Sequence, residues 1–230
     1  MQSTTGTKIM KLFDQCFVTG CDKNTEWMVG WFLEGFTKHN SLPLIFADFG
    51  CSEEFLKLIE PCVDAVLDMS HLPDKGWFKK PHTMVEVGKM SRQACWLDTD
   101  IEILDDISSV FDYIEPSKLN MCEDRPWSRR RKEEWHNSGV VAFEGVPSIL
   151  QDWADKTREA PTVGDQEVLH LMMKSPLDRL IYINTLPNEF NWLRLQLLDK
   201  EDSPKKKAIH WTGRKGKEEI RRQLEKLKNG

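Results

Sequence analysis

Cys95-Trp96-Leu97-Asp98-Thr99-Asp100-Ile101-Glu102-Ile103 is an apolar run that breaks into two carboxylates two residues apart. A short apolar run bounded by polar residues reads as a buried strand. At its end, a bending backbone can turn Asp98 and Asp100 toward one ion. Hard divalent cations such as Mg²⁺ and Mn²⁺ take oxygen ligands and leave positions open for substrate phosphates. The simpler reading of Asp-x-Asp is a charged turn or cap, since Asp favours both. Its place after a buried strand favours the metal reading.

The flanking sequence alternates strand and helix patterns. Strands are expected at 15–20, 43–50, 65–69, 93–98, 119–124, 138–145 and 179–184, and helices at 25–39, 53–60, 81–90, 147–158 and 164–174. In the first helix Met28, Trp31, Phe32 and Gly35 share a face, and Ser52 is placed to cap the second. Such alternation predicts an α/β fold with a Rossmann-like, mostly parallel central sheet and helices on both faces. Ligands of such sheets gather at the carboxyl ends of the strands. That singles out 19–22, 98–100, 123–125 and 137–139.

A chain of 230 residues, 40% hydrophobic and 30% charged, fits one large domain that needs no disulfide or metal to fold. No apolar run approaches the ~20 residues of a membrane-spanning helix. The segment 1–17 has no apolar core of a secretory leader, and the six cysteines are scattered. Together these predict reduced, mostly buried thiols, no zinc site and a cytoplasmic location. Charge is uneven: ten of the 32 basic and three of the 37 acidic residues fall in 205–230, a net of +7 on a body of net −12. Residues 217–228 carry Ile220, Leu224 and Leu227 at helical spacing, so 217–230 is read as a basic helical tail. Such a tail is either a solvated helix or a weak contact for a membrane surface or another anionic partner.

Two further segments carry charge with chemistry. Ala208-Ile209-His210-Trp211-Thr212-Gly213-Arg214-Lys215-Gly216-Lys217 offers an imidazole that can complete a Mn²⁺ shell. Gly213 and Gly216 would let backbone approach phosphate, and Arg214, Lys215 and Lys217 would neutralise it. Read alone it is a mobile basic loop; beside Asp98 and Asp100 it is a lid over a nucleotide diphosphate. Residues 125–132 form a basic loop between Trp127 and Trp135, suited to an acidic glycan, a nucleic acid or sugar stacking, or simply anchored by its tryptophans. Trp27, Trp31, Trp96 and Trp153 are assigned to packing.

In order along nearly the whole chain, the motifs resemble those of GT-A-fold glycosyltransferases. The likeness is greatest to the retaining group of glycogenin and the lipopolysaccharide galactosyltransferases. Phe17-Val18-Thr19-Gly20-Cys21-Asp22 resembles the first strand and uridine-binding turn, and Trp96-Leu97-Asp98-Thr99-Asp100 the metal motif. Asn137-Ser138-Gly139-Val140 resembles the strand beside sugar and acceptor, Gly164-Asp165-Gln166-Glu167 the helix start near the reacting sugar, and His210-x-x-Gly213 the C-terminal motif. The family's last lysine falls on Gly216, with Lys215 or Lys217 as replacements. Trp77-Phe78-Lys79-Lys80-Pro81 looks like a Lys-Pro element of other GT-A branches, so the chain reads as a divergent member.

The resemblance implies a GT-A domain over 1–216 and a metal-dependent hexosyltransferase. Its donor would be a nucleotide sugar, a UDP-sugar, and configuration would be retained. Asp98, Asp100 and His210 would hold Mn²⁺ or Mg²⁺, and Asp165 and Gln166 would act at the reacting sugar. Thr19, Asp22, Lys80, Thr99, Asn137, Ser138, Gly213, Lys215 and Lys217 would line the donor site. Lys80 is preferred over Lys89 and Arg92 as the diphosphate contact. The acceptor stays open among glycan, lipid, protein and nucleic acid. Three rivals are weaker. A haloacid-dehalogenase-type phosphatase wants its Asp-x-Asp near the N-terminus, followed by Thr or Val where Glu102 stands. A nucleotidyltransferase wants more glycine than Gly20-Cys21-Asp22-Lys23 offers. A non-catalytic scaffold would not need Asp98, Asp100 and His210 together.

Overall fold

In a computed structural model, residues 12–74, 76–160, 162–201 and 205–229 are described. The N-terminal stretch 1–11, part of the segment read for a leader, lies outside them. The first half runs β1 (Phe13–Cys21), α1 (Val29–His39), β2 (Leu44–Asp48), α2 (Glu53–Ile59), β3 (Ala65–Asp68), α3 (Lys80–Met90), β4 (Ser91–Leu97) and β5 (Ile101–Ile103). The second runs β6 (Leu119–Glu123), α4 (Arg125–Arg131), β7 (His136–Glu144), α5 (Ser148–Glu159), α6 (Asp165–Met172), α7 (Pro176–Tyr182), β8 (Ile183–Leu186), β9 (Trp192–Leu193), α8 (Arg194–Leu198), β10 (Ala208–His210) and α9 (Gly213–Asn229).

Seven strands form the central sheet in the order β3-β2-β1-β4-β7-β6-β8. β7 runs antiparallel to both neighbours, and the other pairings are parallel. The expected mostly parallel α/β sheet is therefore present. The inversion of β7 matters for the site. Its amino end, 136–138, lies beside the carboxyl ends of β4 and β6, so Asn137 and Ser138 reach the edge where Asp98 and Asp124 emerge.

The central strands are apolar on both faces, as a doubly covered sheet requires. Cys16, Val18, Ala94, Trp96, Val141 and Phe143 face one layer, where Met84, Val87, Ile149, Trp153 and Leu169 of α3, α5 and α6 cover them. Phe17, Cys95, Leu97, Val140 and Ala142 face the other, against Trp31, Phe32 and Phe36 of α1. That second layer is completed by Ile101 and Ile103, by Ala208 and by Ile220 of α9. Ser52 caps α2 as expected, its Oγ accepting from the Phe55 N–H. The cysteines are free thiols, with Cys16, Cys21, Cys95 and Cys122 buried.

Three local expectations are corrected. Residues 179–184, expected as a strand, are split between the end of α7 and the start of β8. Ser175 accepts from the Asp178 N–H and Pro176 starts the turn, so a complete helix-start signal overrides the apolar run. Residues 125–131, expected as a loop, are helical: Asp124 accepts from the Trp127 N–H, Pro126 sits in the first turn, and Lys132 closes the end in the left-handed region. The segment 210–217 is not a mobile loop. His210 ends β10 and α9 begins at Gly213, running unbroken through the boundary drawn at 216/217. Gly216 meets the backbone of Trp211 so closely that any side chain would overlap it, so its lack of a Cβ serves helix docking.

Ile220 is fully buried under α9. Ile220→Ala is expected to lower the unfolding free energy of the whole chain by about 2–4 kcal/mol. Urea denaturation followed by circular dichroism checks this. A change confined to the C-terminal helix would instead mark α9 as an appendage.

Candidate active site

Asp98, Asp100 and His210 converge, one ligand atom from each lying within 4.8 Å of the others. β4 delivers the carboxylates and turns at once into β5. β10 pairs antiparallel with β5 and sets His210 opposite Ile101. The pairing thus brings an imidazole to residues 110 positions earlier, with Nε2 3.1 Å from Asp100 Oδ1 and 3.7 Å from Asp98 Oδ2.

The imidazole is aimed by a chain of hydrogen bonds whose polarity can be traced. Asp124 can only accept, and it takes bonds from the Asn137 amide nitrogen and from Gln166 Nε2 at 3.3 and 3.2 Å. That fixes Asn137 Oδ1 on the far side, where it accepts from the Gly139 N–H and from Asn191 Nδ2, both at 2.9 Å. His210 Nδ1 lies 3.1 Å from the Oδ1 atoms of both Asn137 and Asn191. Nδ1 therefore carries a proton toward the amide oxygens, while Nε2 donates to Asp100 and is the nitrogen that would, on losing its proton, turn a lone pair to a metal. The ring lies flat against Gly139, where any Cβ would overlap it.

Lys80 is the other fixed point. It is 2% exposed, and its Nζ pairs with Asp98 Oδ1 at 3.2 Å and Asp165 Oδ2 at 2.9 Å. It also donates to Ser138 O and Oγ at 3.0 and 3.1 Å. Trp96 Nε1 donates to Asp98 Oδ1 at 2.6 Å. Asp98 is thus held through one oxygen, and the other turns toward His210. Burial would lower the lysine's affinity for its proton, but Asp165 and Asp98 more than offset that and raise it. Burial raises Asp98 above the ordinary carboxylate range, only partly countered by Lys80 and His210. Burial pushes Asp100 the same way, yet His210 outweighs it and the carboxyl ends low. His210 mirrors this: burial pulls it down, Asp100 and Asp98 pull harder, and the imidazole is raised.

Two clefts meet at this cluster. One, of about 520 Å³, runs past Asp22, Asn24, Trp27, Trp77, Thr99, Asp165, Lys217 and Arg221. The other, of about 420 Å³, is lined by Asp124, Trp127, Arg130, Asn137, Leu193, His210 and Gly213. Asp98, Asp100, Ser138 and Gln166 line both. Gln166 stands at the junction, its Oε1 accepting from Asn137 Nδ2 and the Ser138 N–H.

Most of the residues singled out in the sequence come together here, with corrections. Thr19 is fully buried and its hydroxyl donates to the Leu97 carbonyl at 2.8 Å, so it ties β1 to β4 and lines no cleft. Asp22 does line the first cleft, in a turn closed by the Asn24 N–H and Thr25 Oγ1. Lys80 does line the first cleft, but its Nζ is engaged by Asp98, Asp165 and Ser138. Lys89 pairs with Glu86, and Arg92 with Asp14, both away from the site. Lys215 is exposed outside the clefts, whereas Lys217, two residues on along α9, lines the first. Gly164 holds the cap position of α6, and Asp165 is its first helical residue. Trp135 is buried and stacked on His170 at 3.5 Å, so it anchors its loop. Arg221, over the Trp27 ring at 4.6 Å, was missed because a helical Arg in a charge run carries no local sign of function. Asp124 lies in the strand end 123–125 singled out above, but its role, like that of Asn191, exists only through contacts.

No family model matches the chain, and no curated protein matches its sequence. Solved structures do match. The galactosyltransferase LgtC, in complex with donor and acceptor sugar analogs, superposes with a TM-score of 0.60 at 13% identity over 86% of this chain and 87% of that one. The chain has the GT-A glycosyltransferase fold. GlyE, a glycosyltransferase of Streptococcus pneumoniae TIGR4, gives 0.66 at 16% identity, covering 88% of this chain and 55% of its own. Mouse xyloside xylosyltransferase 1 gives 0.54 at 12% identity, covering 86% and 97%. Among the described residues no helix is long and apolar enough to cross a membrane.

Two outcomes follow from the electrostatics. Lys80→Met leaves Asp98 and Asp165 without their shared counter-ion, and should cost about 3 kcal/mol in urea denaturation. Adding Asp165→Asn should return part of it. In metal-free protein, Asp100→Asn should lower the His210 titration midpoint seen by NMR, because it removes the largest group favouring imidazolium. An unchanged midpoint would mean the pair is not formed in solution.

Proposed function

We propose that this chain is a metal-dependent glycosyltransferase that moves a hexose from a UDP-sugar to an acceptor hydroxyl with retention of configuration. The observation that carries the reading is the convergence of Asp98, Asp100 and a pre-aimed His210 at the junction of two clefts. The donor set fits a hard divalent cation, and its imidazole favours Mn²⁺ over Mg²⁺. When bound, such an ion supplies charge neutralisation to a departing diphosphate.

The residues then divide the work. The first cleft takes the donor, with Asp22 and Asn24 toward the nucleoside end and Thr99 beside the metal ligands. Lys217 and Arg221 face the diphosphate from α9, where a helix holds them in place. Ser138 and Asp165 border the transferred sugar, and the Lys80 ion pair fixes the Asp165 carboxylate as an acceptor for sugar hydroxyls. The acceptor oxygen bonds to the anomeric carbon as the bond from that carbon to the phosphate oxygen breaks, and the acceptor proton leaves with the diphosphate. Gln166, at the junction, supports retention without a covalent enzyme intermediate. Its amide oxygen can stabilise positive charge at the anomeric carbon but is a poor nucleophile, unlike the carboxylate of a double displacement.

The test is donor hydrolysis. Purified protein is incubated with a panel of nucleotide sugars in Mn²⁺ or EDTA, and released nucleoside diphosphate is measured. One donor should be cleaved, with the rate abolished by EDTA and lowered at least roughly 100-fold by Asp100→Ala. Thermal shift by Mn²⁺ plus UDP covers an enzyme that waits for its acceptor; failure of both would leave a non-catalytic binding protein. Gly139→Ala should lose the shift, because its methyl displaces the His210 ring. Since the imidazole is raised in the metal-free site, Mn²⁺ affinity should fall about tenfold per pH unit below the His210 midpoint. Affinity independent of pH across that range would remove His210 from the ligand set.

A further inference from the structure

Resting on the transferase reading, we propose that the second cleft is the acceptor subsite. We further propose that it takes a carbohydrate bearing an anionic substituent, a phosphate or a carboxylate. The cleft shares Asp98, Asp100, Ser138 and Gln166 with the donor cleft, so a ligand in it abuts the transferred sugar. Its volume, about 420 Å³, lies within the range of small-ligand pockets.

Two features of α4 define the chemistry. Trp127 offers a partly buried ring, held edge-on to Trp135 at 6.2 Å, which is itself locked on His170. With Leu193 and Leu195 it gives an apolar wall suited to the C–H face of a sugar ring. Of the four arginines of α4, Arg131 lies over the Trp127 ring at 5.0 Å, and the other three separate into two sets. Arg125 pairs with Glu123 and Glu201, and Arg129 with Asp199 and Glu201, so these two tie α4 to its neighbours. Arg130 has no ion pair among the described residues. It lines the cleft, its guanidinium 5.9 Å from the Trp127 ring centre. Asp124 makes no ion pair with it; its oxygens accept from the Trp127 N–H, Asn137 and Gln166. The diphosphate does not need Arg130 either, since Lys217 and Arg221 serve the other cleft. A guanidinium with open donors beside an aromatic platform matches a sugar ring with a planar or tetrahedral anion on it.

The test holds the donor cleft filled with UDP and Mg²⁺ and titrates glucose, glucose 6-phosphate and glucuronate into the millimolar range. Binding is read by saturation-transfer NMR. Glucose 6-phosphate or glucuronate should bind at least tenfold more tightly than glucose, and the tighter of the two names the anion. Arg130→Gln should abolish that preference and leave glucose unchanged, while Trp127→Ala should weaken all three. Trp127→Phe, which keeps an aromatic face, should restore the ring contact. UDP–Mg²⁺ binding checks that each variant is folded. An anion preference unchanged in Arg130→Gln, glucose binding as well as the charged sugars, or no sugar bound would overturn the proposal and leave the transferase reading standing. Failure of the wild-type protein to bind UDP with either Mg²⁺ or Mn²⁺ would remove both.

Discussion

A single buried ammonium organises this site. Lys80 sits in the first turn of α3, under Trp96, and binds Asp98 from β4, Asp165 from α6 and Ser138 from β7. Four elements, spread from residue 80 to residue 172, are thus tied at one point. An isolated ammonium in that position would cost several kcal/mol in lost hydration, and so would either carboxylate alone. Together they tolerate burial, and the geometry that makes burial tolerable also leaves Asp98 Oδ2 and the Asp100 carboxylate facing His210. The lysine acts through the carboxylates it positions.

The second constraint is directional. A carboxylate that can only accept, Asp124, orients the Asn137 amide, and that amide orients the imidazole. The consequence is a ring whose orientation and Nδ1 proton are settled before any ligand arrives, with Gly139 giving it room. Without a bound cation His210 and Asp100 pair directly, each favouring the other's charged form, which is why His210 is raised and Asp100 lowered. On the proposed metal reading, metal and proton would compete for the same Nε2 lone pair, linking occupancy to pH through His210.

The sheet and its helices were legible because their signals are local. Apolar runs such as 93–97 and helix faces such as Met28–Trp31–Phe32 announce themselves by period. Asp98, Asp100 and His210 were legible because a strand end and a short motif mark them. What escaped was relational. Thr19 sits in a motif but spends its hydroxyl inside the sheet, and the carboxyl end of β1 contributes Asp22 instead. Arg130 and Arg131 look alike in sequence, and only the fold places Arg130 in the cleft. The 125–131 helix was obscured by its charge density, although Asp124 and Pro126 formed a readable start.

The identity of 213–217 as helix changes how closure is understood. A mobile lid would lose chain entropy each time it folded over a diphosphate, at about 1–2 kcal/mol per residue ordered. Here that ordering is complete before binding: Ile220 is buried, Gln223 accepts from the Trp31 indole at 2.8 Å, and Arg221 rests on Trp27. Lys217 and Arg221 therefore stand at the cleft at no further cost in backbone entropy. The same rigidity fixes the backbone from which these cations reach, so only their side chains can adjust to a ligand that sits differently.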